Sequence, residues 1–113
     1  MENNKVEIGV IKAVRFGAGG YDNVQFGLTV DLLVQGCCVN DFLGCWAGAP
    51  PENAQWTLAD QTAHYGKICR RIHQLLTDAK VKDLASLVGR PVRVYTKPNG
   101  LLETWDILKE AVL

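Results

Sequence analysis

Cys37, Cys38, Cys45, Cys69, His64 and His73 are the side chains whose types could ligate zinc or pair a nucleophile with its base. Zinc ligation needs thiolates and imidazoles that can converge on one point. The C-x-x-C spacing is absent, and adjacent Cys37 and Cys38 fall on opposite faces of a strand. Cys69 lies in the apolar stripe of a helix, and a separation of nine residues sets His64 and His73 on opposite sides of it. The cysteines therefore read as small buried hydrophobes, and no metal site is expected. A nucleophilic cysteine needs an electropositive setting or a helix start to lower its pKa. None has one, although Cys45 beside Trp46 is a loop candidate. No catalytic residue and no cofactor are expected, and a small cysteine-dependent enzyme is the third functional reading.

Groups suited to holding a ligand are easier to find. Gly17-Ala18-Gly19-Gly20 follows a strand, but another strand comes next, so the helix N-terminus that a phosphate loop requires is missing. Its backbone, with Arg15, Tyr21 and Asp22 nearby, is a hairpin turn that can touch a ligand or partner. His64, Lys67, Arg70, Arg71 and His73 form a basic helix face, which Arg90 and Arg93 extend if they point the same way. Such a face suits a phosphate-bearing ligand, nucleic acid or an acidic protein surface. Trp46 is the aromatic least explained by packing, and it can stack on a base or anchor an interface.

The elements that must position these groups follow from periodicity. Residues 5–16 read as a strand with Val6, Ile8, Val10, Val14 and Phe16 on one face; Ile11 breaks the parity and implies a bulge near Gly9 or burial on both faces. Residues 24–34 alternate cleanly, with Val24, Phe26, Leu28, Val30 and Leu32 on one side. Gln35-Gly36 makes a turn into a third strand over 37–43, closing an antiparallel meander. Residues 44–56 are a loop. Thr57 and Asp60 form a capping box for a helix running to about Lys80, whose apolar stripe is Tyr65, Ile68, Cys69, Ile72, Leu75, Leu76 and Ala79. A short second helix over 82–87 ends at Gly89 and Pro91. Residues 91–96 and 101–108 form a hairpin around Pro98-Asn99-Gly100. The expected fold is α+β, a single domain over 1–113. An antiparallel sheet, built from the N-terminal meander and the C-terminal hairpin, packs on one main amphipathic helix and a short second one.

The chain has 113 residues with twelve basic and twelve acidic side chains. Zero net charge argues against a dedicated nucleic-acid binder, without excluding charge segregated by face, and gives little protection against self-association, so a homo-oligomer is expected. The polar start, Met1 to Lys5, is not expected to act as a signal peptide, and no apolar run approaches a membrane span. A cytoplasmic protein with reduced cysteines and no membrane partner is expected.

Residues 11–32, with Phe16-Gly17-Ala18-Gly19-Gly20-Tyr21-Asp22 and Gly27-Leu28, together with Asp41-Phe42, Gly44, Trp46 and Trp56-Thr57, belong to a longer pattern. It continues through Leu75-Leu76, Ala79-Lys80-Val81, Leu87, Gly89, Pro91-Val92 and 102–113. The pattern resembles a group of small proteins encoded by bacteriophages and prophages, over nearly the whole chain. The group carries no activity to transfer. The resemblance implies a non-enzymatic accessory protein in the cytoplasm of a bacterial host. Such a protein would inhibit a host defence system by binding a defence protein or by sequestering a nucleotide second messenger. The alternative is a nucleic-acid-binding accessory protein that uses the basic helix face.

Overall fold

The structure is a computed structural model that describes residues 5–19, 25–50 and 52–111. Three strands open the chain: β1 (Lys5–Gly19), β2 (Gln25–Val34) and β3 (Cys37–Trp46). The helix α1 (Leu58–Ala79), a 3-10 turn at Ala85–Leu87, and the hairpin β4 (Pro91–Thr96) and β5 (Leu102–Ile107) follow. The strands form one antiparallel sheet in the order β3-β2-β1-β4-β5. The expected α+β architecture of meander, main helix and C-terminal hairpin is present. The second helix is reduced to its 3-10 turn, which drives Leu87 fully into the core.

β2 owes its place at the core to strict alternation. Leu28, Val30, Leu32 and Val34 are buried on the face that meets α1. Gln35 and Gly36 both have positive φ (50° and 80°), the geometry of a type I′ turn, so β2 returns directly into β3. In α1, Gln61, Ile68, Leu75 and Ala79 are buried, with Tyr65, Ile72 and Leu76 packed beside them. Burying side chains such as Ile68 and Leu75 contributes about 1.5–3 kcal/mol each before entropy. The helix starts on the expected capping box. The Asp60 amide donates to Thr57 Oγ1 (3.1 Å), and the Thr57 amide donates to Asp60 Oδ2 (2.9 Å). It ends on Lys80 in the left-handed conformation.

β1 departs from its expected pattern. Ile11 pairs with Leu32 and Ala13 with Asp31, so the bulge falls at Lys12 rather than near Gly9. One extra residue resets the parity. Before the bulge, Ile11 points to the core while Val6, Ile8 and Val10 lie on the opposite, exposed face beside Leu33. After it, Val14 turns inward. The first half of β1 pairs with β4 and the second half with β2. Both β1 and β3 also run three residues further than their apolar patterns suggest, to Gly19 and Trp46.

The sheet is strongly curled. Trp105 on β5 donates its indole N–H to Asp41 Oδ2 on β3 at 2.6 Å, although these are the two edge strands. In a flat sheet, four strand spacings would hold them about 19 Å apart. Gly27 permits part of this curvature, because a Cβ there would lie 2.2 Å from the Leu43 carbonyl oxygen. Arg71 of α1 lies 4.6 Å from the centre of the Trp105 ring and donates to the Trp105 carbonyl at 2.7 Å. The result is a partly open barrel with α1 along its open side.

Candidate ligand-binding site

The end of β3 is fastened to α1 by two helix side chains. Gln61 is buried at 7% exposure, and its amide nitrogen donates to the carbonyls of Trp46 (2.6 Å) and Gly48 (2.8 Å). The Tyr65 hydroxyl donates to the same Trp46 carbonyl at 2.9 Å. These bonds fix the backbone from which the Trp46 indole projects. Trp56, in the segment leading into α1, sets its ring nearly parallel to that of Trp46, with centroids 6.2 Å apart and 16° between planes. Trp46 is 43% exposed, so this pair is not spent on the core.

Beside the indoles opens a cleft of about 520 Å³, within the range of small-molecule sites. Gln25, Cys45, His64 and Lys67 line it together with both tryptophans. The α1 residues around it, from Asp60 to Lys67, recur at three- and four-residue spacing and so share one side of the helix. Among the described residues, the side chains of Gln25, His64 and Lys67 have no hydrogen-bond or ion-pair partner. The cleft thus combines flat apolar rings, an uncommitted amide and two nitrogen-bearing side chains able to meet an anion.

Cys45, His64 and Asp60 border the same cleft, which raises nucleophilic chemistry directly. No hydrogen bond joins Cys45 to His64, and the Asp60 carboxylate accepts from the Thr57 amide instead of orienting the imidazole. The base-orienter relay of a thiol enzyme is therefore not assembled in this arrangement. Among the described residues, no three of His, Cys, Asp and Glu are grouped to hold a metal ion. The expectation of buried cysteines holds for Cys45 alone. Cys37 and Cys38 flank the hairpin turn and are exposed, and so is Cys69, which falls just outside the stripe that Ile68 and Ile72 define.

Of the site residues expected from sequence, Trp46 and Lys67 meet in this cleft. Tyr21 and Asp22 lie outside the described residues. Arg15 sits on the face of β1 away from α1, where its Nη1 donates to the Ala18 carbonyl at 2.7 Å. Arg70 is exposed, with its guanidinium beside Gly66. Arg71 turns inward onto Trp105. Burial lowers its pKa, opposed by Asp41, Asp106 and Asp78, so its charge is already balanced within the fold. Arg90 Nε donates to the Ser86 carbonyl, and Arg93 pairs with Glu110 at 3.2 Å. Arg90 and Arg93 are turned to Ser86 and Glu110 and do not extend the basic helix face. Arg71 and Arg93 share a groove whose other charges are Asp78, Asp106, Lys109 and Glu110, leaving no cationic excess there.

Gln61 and Tyr65, which hold the Trp46 carbonyl, and Gln25, which lines the cleft, are not among the site residues expected from sequence. Gln61 was partly legible, because it continues the stripe of Tyr65, Ile68 and Ile72 one turn toward the N-terminus, where a polar residue facing the core needs a partner. Comparison with protein-family models, curated proteins and solved structures finds no match to this chain. No described helix is long and apolar enough to cross a membrane.

Proposed function

We propose that this chain works by occupancy, binding a nucleobase-bearing, phosphate-bearing ligand in the Trp46–Trp56 cleft without covalent chemistry. The observation that carries the reading is a near-parallel, solvent-accessible indole pair beside the unpartnered Gln25, His64 and Lys67. Indole faces take the ring of any base, the Gln25 amide can donate to and accept from its edge, and Lys67 meets a phosphate. Fold-level analogy points the same way. A five-stranded, partly open Greek-key barrel is the general form of oligonucleotide- and oligosaccharide-binding folds, and the curled β3-β2-β1-β4-β5 sheet resembles it. In the phage setting that the sequence resemblance implies, such occupancy would withdraw a nucleotide messenger from a host defence system or cover a nucleic-acid strand.

The test is a thermal-shift and tryptophan-fluorescence panel of mononucleotides, cyclic dinucleotides, ADP-ribose and short oligodeoxythymidines. At least one class should raise the melting temperature and quench the indoles. Trp46→Ala should weaken that binding by about 5- to 150-fold, the value of about 1–3 kcal/mol for one stacked base. No shift and no quenching with any of them would end the reading.

A second reading has its own observation. Val6 and Ile8, 54% and 55% exposed, join Val10 and Leu33 in an apolar patch on the sheet face away from α1. Such a patch fits a protein partner, either a host defence protein or another copy of this chain. Ile8→Lys should leave folding intact and abolish the association. An unchanged particle size and unchanged inhibition of the defence system would remove this reading.

A further inference from the structure

β1 changes neighbours part-way along its length, and the change leaves backbone uncovered. From Val10 onward it pairs with β2, but β2 ends at Val34 and turns away through Gln35 and Gly36. Among the described residues, Lys5 to Gly9 therefore pair with β4 alone, and their other edge is open. The direction of each amide follows from the ladder. The Ile11 amide donates to the Arg90 carbonyl (3.0 Å), and the Ile11 carbonyl accepts from the Gly89 amide (2.7 Å), so Ile11 bonds toward β4. Bonding alternates along an antiparallel strand. Gly9, Glu7 and Lys5 thus bond toward β4, while the amides and carbonyls of Val6 and Ile8 point out of the open edge. No described residue pairs with them on that side. Neither proline nor bulge blunts the stretch from Lys5 to Gly9, and Val6 and Ile8 are the most exposed members of the apolar patch.

We infer that this edge is a self-association surface: β1 of one copy pairs antiparallel with β1 of a second copy across a two-fold axis, joining the two sheets. The inference rests on the patch reading above and commits it to a second copy of this chain. Charge selects both the occupant and the register. A two-fold axis can pass through Val6, Glu7 or Ile8. Through Ile8, it would set Val6 of one copy against Val10 of the other, whose place on that edge is already taken by Leu33. Through Glu7, it would set two carboxylates directly opposite each other, which is destabilising. Through Val6, the two Val6 residues exchange both backbone bonds, and Lys5 faces Glu7 of the second copy, twice by symmetry. Lys5 and Glu7 already form a loose ion pair within one chain, at 4.0 Å, so the join gathers four charges of alternating sign. On the other face the Val6 side chains meet, with Ile8 diagonal to each. The edge is complementary to itself in charge and in apolarity. Zero net charge adds no long-range repulsion between copies.

The experiment is sedimentation equilibrium of the full chain over a concentration series. The wild type should show a reversible equilibrium between monomer and dimer. Val6→Pro takes away the outward N–H without removing a bond to β4. It should weaken the dimer by about 5- to 150-fold, because the symmetric pair loses two hydrogen bonds. Lys5→Glu and Glu7→Lys should each weaken self-association by about 10-fold or more, since both crossings then hold like charges. Mixed in equal amounts, these two variants should form a heterodimer at least as stable as the wild-type dimer, because every crossing again joins lysine to glutamate. The mixing result stands whether or not the proline variant folds. A mixture that fails to associate would overturn the inference. So would a dimer that Ile8→Lys breaks but Val6→Pro and both charge changes leave intact, and the patch would then pack face to face. A wild type that stays monomeric throughout would overturn it too, and leave the patch to a host defence protein.

Discussion

Trp105 and Asp41 belong to opposite edges of the sheet and are joined by a 2.6 Å hydrogen bond from indole nitrogen to carboxylate. The bond lies in the barrel interior, where Trp105 is 2% exposed, and Arg71 covers the ring. It makes the curvature of the sheet depend on two side chains 64 residues apart in the chain. Trp105→Phe keeps the apolar bulk but leaves Asp41 without this donor. Unfolding in urea should show a loss of about 1–3 kcal/mol. Asp41→Asn, whose amide oxygen can still accept, should lose less. If Asp41→Asn costs as much as Trp105→Phe, the bond is not what holds the edges together.

Gly27 is required by backbone proximity rather than by a turn. Alanine there would place its Cβ 2.2 Å from the Leu43 carbonyl oxygen and 2.5 Å from the Gly44 Cα, both main-chain atoms that no rotamer can move aside. Gly27→Ala should cost at least about 1–3 kcal/mol, or prevent folding. Gly36→Asn, at a positive φ of 80° with open space around the Cβ, should be far milder. Comparing the two by thermal melting separates crowding from φ preference.

Gln61 couples helix to site. Gln61→Leu fills the same volume and strands the Trp46 and Gly48 carbonyls, with Tyr65 left to serve the first of them. A stability loss of about 1–3 kcal/mol is expected. The fluorescence of the indole pair should change as well, because its backbone anchor is gone. A variant that loses stability while its emission and ligand binding stay unchanged would show that Gln61 supports only the core.

Asp83 provides a pH test. Hydrogen bonds from the Ser86 hydroxyl, and then from the Ser86 amide, hold its carboxyl below the ordinary aspartate pKa. A carboxyl whose pKa is lower folded than unfolded stabilises the native state above its unfolded value. That contribution disappears as pH falls through the folded value. The melting temperature of Asp83→Asn should therefore trail the wild type at pH 6 to 7, and the gap should close below about pH 4. A gap of constant size down to pH 2 would contradict the assignment.

How far the sequence foretold this arrangement differs by element. β2 and α1 were legible because each is half-buried, so its solvent side contrasts with its core side at the period of its own backbone. The Thr57–Asp60 cap was legible because it is local. β1 was misread at its bulge: Val6, Ile8 and Val10 share one face as expected, but the phase resets at Lys12, which has no chemical mark, so Val14 and Phe16 do not continue their parity. The cysteines were misread because Cys69 sits one position from Ile68, and one position is 100° around a helix. Trp46 and Lys67 could be nominated singly. Their meeting, and the barrel closure that brings Asp41 to Trp105, depend on pairings far apart in sequence that no local pattern encodes.

Fifteen residues of β1 serve two ladders, the first part zipped to β4 and the remainder to β2. Neither hairpin can detach without tearing a strand that the other is using. The domain should consequently melt as one cooperative unit, with backbone amides of both ladders sharing a single, global hydrogen-exchange free energy instead of a staircase of local openings.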